Sequence, residues 1–203
     1  MISRFRRPLR YWQMFFLILR MKPRRIMEIG TWAGDRARTM IRLAKWYWKA
    51  DEIDYYGFDL FGQMTTERFA EEKSKWPPTQ QEADAKLRST SANIHLYQGD
   101  TTEVLPSLVE RLPKMDFIFI DGGHSLETIA NDWHWASLLM HDKTVVVFDD
   151  YWLGRTDAGC KVMVDAIDRK KYTITLWPVT DSFQKTAFGP LRIKLVAVRK
   201  RTT

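Results

Sequence analysis

One cysteine stands in the 203 residues, Cys160, so no disulfide can form within the chain and a reducing, cytoplasmic compartment is expected. With no base beside it in sequence, Cys160 reads as a structural residue. Long apolar runs are also missing. The stretch Tyr11-Trp12-Gln13-Met14-Phe15-Phe16-Leu17-Ile18-Leu19 falls far below the roughly 20 residues of a membrane-spanning helix, and no small-residue cleavage site follows it. No segment is low in complexity, which leaves disorder to the ends. The fingerprint G-x-G-x-x-G does not occur, and this disfavours a nicotinamide-dependent oxidoreductase. Acids are absent before Ile26, where Arg4, Arg6, Arg7, Arg10, Arg20, Lys22, Arg24 and Arg25 stand. These eight cations exceed the formal net charge of +7, so the rest of the chain is acidic by one unit. A basic groove spread over the fold is thereby excluded, and no nucleic-acid partner is expected.

What is present suffices for one α/β domain over residues 26–203, preceded by a basic, aromatic helical segment at 1–25. That helix is expected to lay its apolar side on the sheet layer or on a second subunit, which would make the protein a homo-oligomer. The alternative is peripheral attachment to an anionic membrane surface, which Arg with Trp and Phe on one helix also suits.

The chain is organised around Ile26-Met27-Glu28-Ile29-Gly30-Thr31-Trp32-Ala33-Gly34. A short apolar strand runs into a glycine turn, and a helical pattern follows over 35–49 through Ala37, Met40, Ile41, Ala44 and Trp48. Gly30 is expected to bring backbone close to a ligand where a Cβ would collide with it. The second strand, 53–59, ends at Asp59, placed either to hold ribose hydroxyls or to cap the next element. Residues 62–90 contain Pro77-Pro78 between two helical stretches, 65–75 and 80–87, and are long for a strand connection. They read equally as a lid over the cleft or as a solvated excursion. A third strand, 94–98, precedes Gly99-Asp100 and a helix over 101–112.

Two unbroken apolar strands then stop at acids: Phe117-Ile118-Phe119-Ile120-Asp121-Gly122-Gly123-His124-Ser125 and Thr144-Val145-Val146-Val147-Phe148-Asp149-Asp150-Tyr151. Continuous apolarity implies helices on both faces of a parallel sheet. Neighbouring strands lie about 4.8 Å apart, so Asp121, Asp149 and Asp150 can converge on one cation, with Mg²⁺ the natural choice for oxygen ligands. His124 reads either as a base or as a structural hydrogen-bonding group for the Gly122-Gly123 turn. For the acids, the bland reading is a helix cap and an ion pair with Arg155 or Lys161. A helix at 158–169, strands at 172–177 and 191–198 joined by a loop, and a solvated tail Arg199-Lys200-Arg201 complete the chain.

The acid-x-Gly-x-x-x-Gly turn resembles motif I of the class I S-adenosylmethionine-dependent methyltransferases. With Asp-Gly-Gly-His-Ser and Val-Val-Phe-Asp-Asp-Tyr downstream, residues 24–155 resemble the subgroup allied to cephalosporin-hydroxylase-type and macrolide sugar O-methyltransferases. The resemblance implies a Rossmann-like, seven-stranded, mostly parallel sheet with a reversed last strand. It implies S-adenosylmethionine held by Glu28, Gly30, Thr31, Gly34, Asp59, Asp100 and Asp121. It further implies Mg²⁺ on Asp121, Asp149 and Asp150, with Asp121 and His124 catalytic in methylating a hydroxyl of a small molecule or sugar. His141-Asp142-Lys143 stands where such sequences usually have a Gly-rich turn. The rival within this fold is a scaffold that binds the cofactor without turnover.

Overall fold

Period-two alternation along the central strands decides which helices cover which face of the sheet. The computed structural model describes residues 8–72 and 76–201. Arg4, Arg6, Arg7 and the end of the helix expected at 65–75 lie outside the described residues. Eight strands form one sheet: β1 (Arg25–Ile29), β2 (Asp54–Asp59), β3 (Asn93–Gln98), β4 (Met115–Ile120), β5 (Met140–Trp152), β6 (Tyr172–Leu176), β7 (Asp181–Phe183) and β8 (Leu191–Lys200). Their order is β3-β2-β1-β4-β5-β8-β6, with β7 paired to β8. The pairs among β1 to β5 are parallel, and β8 runs antiparallel to both β5 and β6. This is the expected Rossmann-like design with its last strand reversed, but with eight strands in place of seven. The extra one is β7, in a stretch that reads as loop.

The helices are α1 (Arg10–Met21), α2 (Asp35–Ala44), α3 (Thr66–Glu72), α4 (Gln80–Arg88), α5 (Thr101–Leu108), α6 (Leu126–Leu138) and α7 (Lys161–Ala166). Ile26, Tyr55, Phe117, Phe119, Val145 and Val147 face one way, into a core shared with α1, α2 and α4. Met27, Phe58, Ile118, Ile120, Val146 and Phe148 face the other way, into a core shared with α5, α6 and α7. In α1, Met14 and Ile18 lie one turn apart and are fully buried, each stabilising the packing by about 2 kcal/mol. The helix therefore lies on the sheet layer, while Leu9, Trp12 and Phe16 point outward at 61 to 68% exposure.

Several element ends differ from the sequence reading. Helix α2 stops at Ala44, and Trp46 beyond it is exposed. Helix α5 stops at Leu108, soon after Pro106. Helix α7 cannot start before Lys161, because Gly159 has a φ of 78° and Cys160 N–H donates to the Asp150 carbonyl. Arg199 and Lys200 belong to β8 rather than to a tail, pairing with Thr173 and Tyr172. His141-Asp142-Lys143 begins β5 instead of forming a turn, and His141 Nε2 lies 3.0 Å from Asp116 Oδ1. No helix among the described residues is long and apolar enough to cross a membrane.

Candidate active site

The sheet register builds the site. Phe58, Ile29, Ile120 and Phe148 stand opposite one another across β2, β1, β4 and β5. The next residue of each chain segment is Asp59, Gly30, Asp121 or Asp149, so these four leave the carboxyl edge in one row. All four line a cavity of about 390 Å³. Gly30, at φ 89°, is needed for a reason internal to the row: a Cβ there would stand 2.1 Å from the Asp121 carbonyl oxygen. The backbone at Asp121 and Gly122 thus requires glycine here by itself, and Gly30 also lines the cavity.

Asp59 is engaged by backbone on both sides of it. Its carboxylate accepts from Trp32 N–H (2.6 Å) and Phe61 N–H (2.9 Å), shaping both flanking loops, while it still lines the cavity. Asp100 caps α5 through Thr102 N–H at 2.9 Å, pairs with Arg68, and also reaches the cavity. Glu28, Thr31 and Gly34 do not line it. Glu28 is fully buried, accepts from Tyr55 Oη at 2.5 Å, and has its Oε1 3.8 Å from Arg36 Nε. Burial raises its carboxyl to about 7 against the pull of Arg36 and Tyr55. Thr31 lies 3.1 Å from the same Tyr55 hydroxyl, and Gly34 (φ 73°) precedes α2 against Leu87. Glu28 and Thr31 hold the loop from beneath through the shared Tyr55 hydroxyl, and Gly34 packs against Leu87.

Asp132, absent from the sequence reading, sits on α6 with 1% exposure at the cavity wall. Its Oδ1 accepts from Thr101 Oγ1 at 2.6 Å, whereas Oδ2 has no partner among the described residues. Burial raises this carboxyl to about 7. An acid at a helical apolar spacing carries little signal in sequence.

Helix α3 crosses one side of the cavity. Arg68 pairs with Asp100, and Glu72 accepts from the backbone N–H groups of His124 and Ser125 and from Thr128 Oγ1. Glu72 thereby meets the N-terminus of α6, where a carboxylate is favoured. Burial opposes its ionisation, yet the bonds from Thr128, Ser125 and His124 outweigh it and hold the group below its ordinary range. A Cβ on Gly123 would come within 2.6 Å of the Glu72 carboxylate, which explains the second glycine of the pair.

His124 is held at both nitrogens. Nδ1 faces the Glu72 carbonyl at 2.7 Å and Nε2 faces Asp150 Oδ2 at 3.2 Å. Burial alone would push the imidazole down, but Asp150 and the Glu72 groups prevail and raise it to about 9. Its ring also packs on Trp152 and Phe188, with centroids 5.5 and 5.4 Å away.

Asp121, Asp149 and Asp150 do meet, each offering a carboxylate oxygen within 4.8 Å of the others. They meet already partnered. Arg10 donates Nε to Asp149 Oδ1 (2.7 Å) and Nη2 to Oδ2 (3.0 Å), Tyr11 Oη donates to Oδ2, and Asp150 N–H donates to Oδ1 at 2.8 Å. A carboxylate offers about four lone-pair positions, and on Asp149 all are taken. Arg36 pairs with Asp121 and donates to Tyr11 Oη at 3.2 Å. Burial raises Asp149, but Arg10 foremost, then Tyr11 and Arg36, bring it below its usual range. Asp149 therefore has no lone pair left for a divalent ion. Arg10 is also a correction to the basic segment, since it is 5% exposed rather than a surface charge.

A twisted, mostly parallel sheet whose loops gather acids and glycines around a cavity at its carboxyl edge defines a Rossmann-like α/β protein. Residues 27–151 match the family model described as "Methyltransferase domain", and the chain belongs to that family. No curated protein matches the sequence significantly. Among solved structures, the chain is similar to the O-methyltransferase TomG from Streptomyces achromogenes in complex with SAM, at 19% identity over 92% of this chain and 78% of that one, TM-score 0.62. Cofactor-bound Rv0187 from MTB aligns at 16% identity over 100% and 84%, TM-score 0.65. The O-methyltransferase from Bacillus cereus in complex with SAH aligns at 14% over 98% and 84%, TM-score 0.60. At these identities the likeness is one of fold.

Proposed function

We propose that this chain transfers the methyl group of S-adenosylmethionine to a hydroxyl oxygen of a small molecule or sugar. The observation that carries the reading is the row Asp59, Gly30, Asp121 and Asp149 along a cavity of about 390 Å³, in a chain of the methyltransferase-domain family. The unpartnered Oδ2 of Asp132 fits a nucleoside, which brings N–H and O–H donors to such acceptors. Asp59 and Asp100 would receive the remaining polar groups of the cofactor, and Asp121 would lie beside its amino-acid end. Glu28, Thr31 and Gly34 would hold the loop in shape. The cofactor, when bound, supplies an activated methyl on a sulfonium.

The acceptor would lie against Trp152, Phe183 and Phe188, which line the cavity with His124. Such a wall suits the flat or apolar face of a ring whose hydroxyl points at His124. Methyl transfer to oxygen requires removal of the hydroxyl proton and in-line placement. In its free-base form the His124–Asp150 pair takes that proton, and Asp150 stabilises the resulting imidazolium. Helix α3, held by Glu72 and Arg68, acts as a lid that keeps water from the cleft. Titration with S-adenosylmethionine and S-adenosylhomocysteine, followed by labelled methyl transfer across a hydroxylated panel, tests the reading. Tight binding without transfer would favour a scaffold; no binding would end the proposal.

A second surface is supported by one observation. Leu9, Trp12 and Phe16 form an exposed stripe on a segment without acids. The segment carries Arg4, Arg6, Arg7, Arg20 and Lys22 beside that stripe in sequence and no acid, so an anionic membrane surface is the partner its charge complements.

A further inference from the structure

We propose that Arg10 and Arg36 occupy the electrostatic place of a divalent cation in the Asp121–Asp149–Asp150 cluster, so that the site is built to work without a metal ion. Three carboxylates this close repel one another unless cations compensate them. Here each has a partner supplied by the chain: Asp149 has Arg10, Asp121 has Arg36, and Asp150 lies 3.2 Å from His124 Nε2 and 3.1 Å from Trp152 Nε1. The Arg10 pair is bidentate, the arrangement that a planar guanidinium makes best. With Tyr11 Oη and Asp150 N–H it fills the acceptor capacity of Asp149, and an ion could bind only by breaking those bonds.

The fold fixes Arg10 in this position. Asp181 of β7 accepts from the backbone N–H groups of Leu9 and Arg10, each at 3.0 Å, and lies 3.2 Å from Arg10 Nη1. One carboxylate thus holds both the start of α1 and the guanidinium that this start delivers. The two arginines have different relations to the cavity. The Arg10 side chain is 6% exposed and acts as a counter-ion, whereas Arg36 is 31% exposed. Arg36 is therefore the positive charge that an acceptor oxygen meets. That contact would be one with the acceptor itself, and only this last point rests on the methyl-transfer reading.

The wild-type protein mixed with Mn²⁺ alone decides the matter by electron paramagnetic resonance. The expected result is the spectrum of the free hydrated ion with protein in excess. An immobilised Mn²⁺ signal that vanishes in Asp149→Asn would overturn the proposal, whatever the fate of methyl transfer. In thermal melts, Arg10→Met leaves Asp149 buried and uncompensated and should lower Tm by about 10 °C. The double variant Arg10→Met/Asp149→Asn should recover much of that loss. A single variant as stable as wild type would also overturn the inference. If methyl transfer is found and a chelator abolishes it, the inference fails while the transferase reading stands.

Discussion

His124 and Asp150 form the pair whose state is set most directly by surroundings. With the imidazole raised to about 9, only about one molecule in a hundred carries it as free base at pH 7. At saturating cofactor, kcat/KM should climb with pH through neutrality, and Asp150→Asn should move the midpoint down toward about 6.5. A flat profile from pH 6 to 9 would remove His124 as the base. The same shift affects folding. A histidine raised in the folded state contributes fully below its unfolded value near 6.5 and loses that contribution as pH rises through about 9. The stability gap between wild type and His124→Gln should narrow by on the order of 3 kcal/mol between those limits, read from urea melts. Gly30 offers a steric counterpart. Gly30→Ala places a Cβ 2.1 Å from backbone at a φ of 89° and should cost more than about 2 kcal/mol.

Among the elements, α3 and α1 stand out because each is tied to the site by charged side chains. Glu72→Gln keeps the shape of the α3 contact but removes the charge that faces the α6 N-terminus. Amides of α3 should then exchange faster than in wild type, by about tenfold, while those of β4 stay unchanged. Equal exchange in both would mean that Glu72 does not hold the helix down. For α1, the outward stripe can be separated from the buried pair Met14 and Ile18. Trp12→Ser with Phe16→Ser should abolish co-sedimentation with vesicles rich in phosphatidylglycerol and leave Tm near its wild-type value. Vesicles that fail to retain the wild-type chain would dismiss the membrane contact.

At the scale of the molecule, the loops that line the cavity come from β1, β2, β3, β4, β5 and β8, so a ligand bridging them links segments distant in sequence. S-Adenosylmethionine at a hundred times its Kd should therefore add about 2.7 kcal/mol to unfolding, seen as a rise in Tm. The strands β1 to β5 and the acids at their ends were legible beforehand, since apolar runs and the turns that stop them are local, whereas the order of the strands was not. The eighth strand was not, because β7 has three residues and gains its pairing only from β8.

The sequence by itself determined seven of the strands, the glycine turn and the acids Asp59, Asp121 and Asp149 at strand ends, because each follows from periodicity or from residues close along the chain, while the reversed final strand was what the family resemblance implied. Tertiary structure alone decided how those acids are compensated. Arg10 lies 139 positions from Asp149 and looks like one more cation in a basic segment until α1 docks. Whether an arginine is solvated or locked to a carboxylate depends on distance and burial, and neither is encoded in its neighbours.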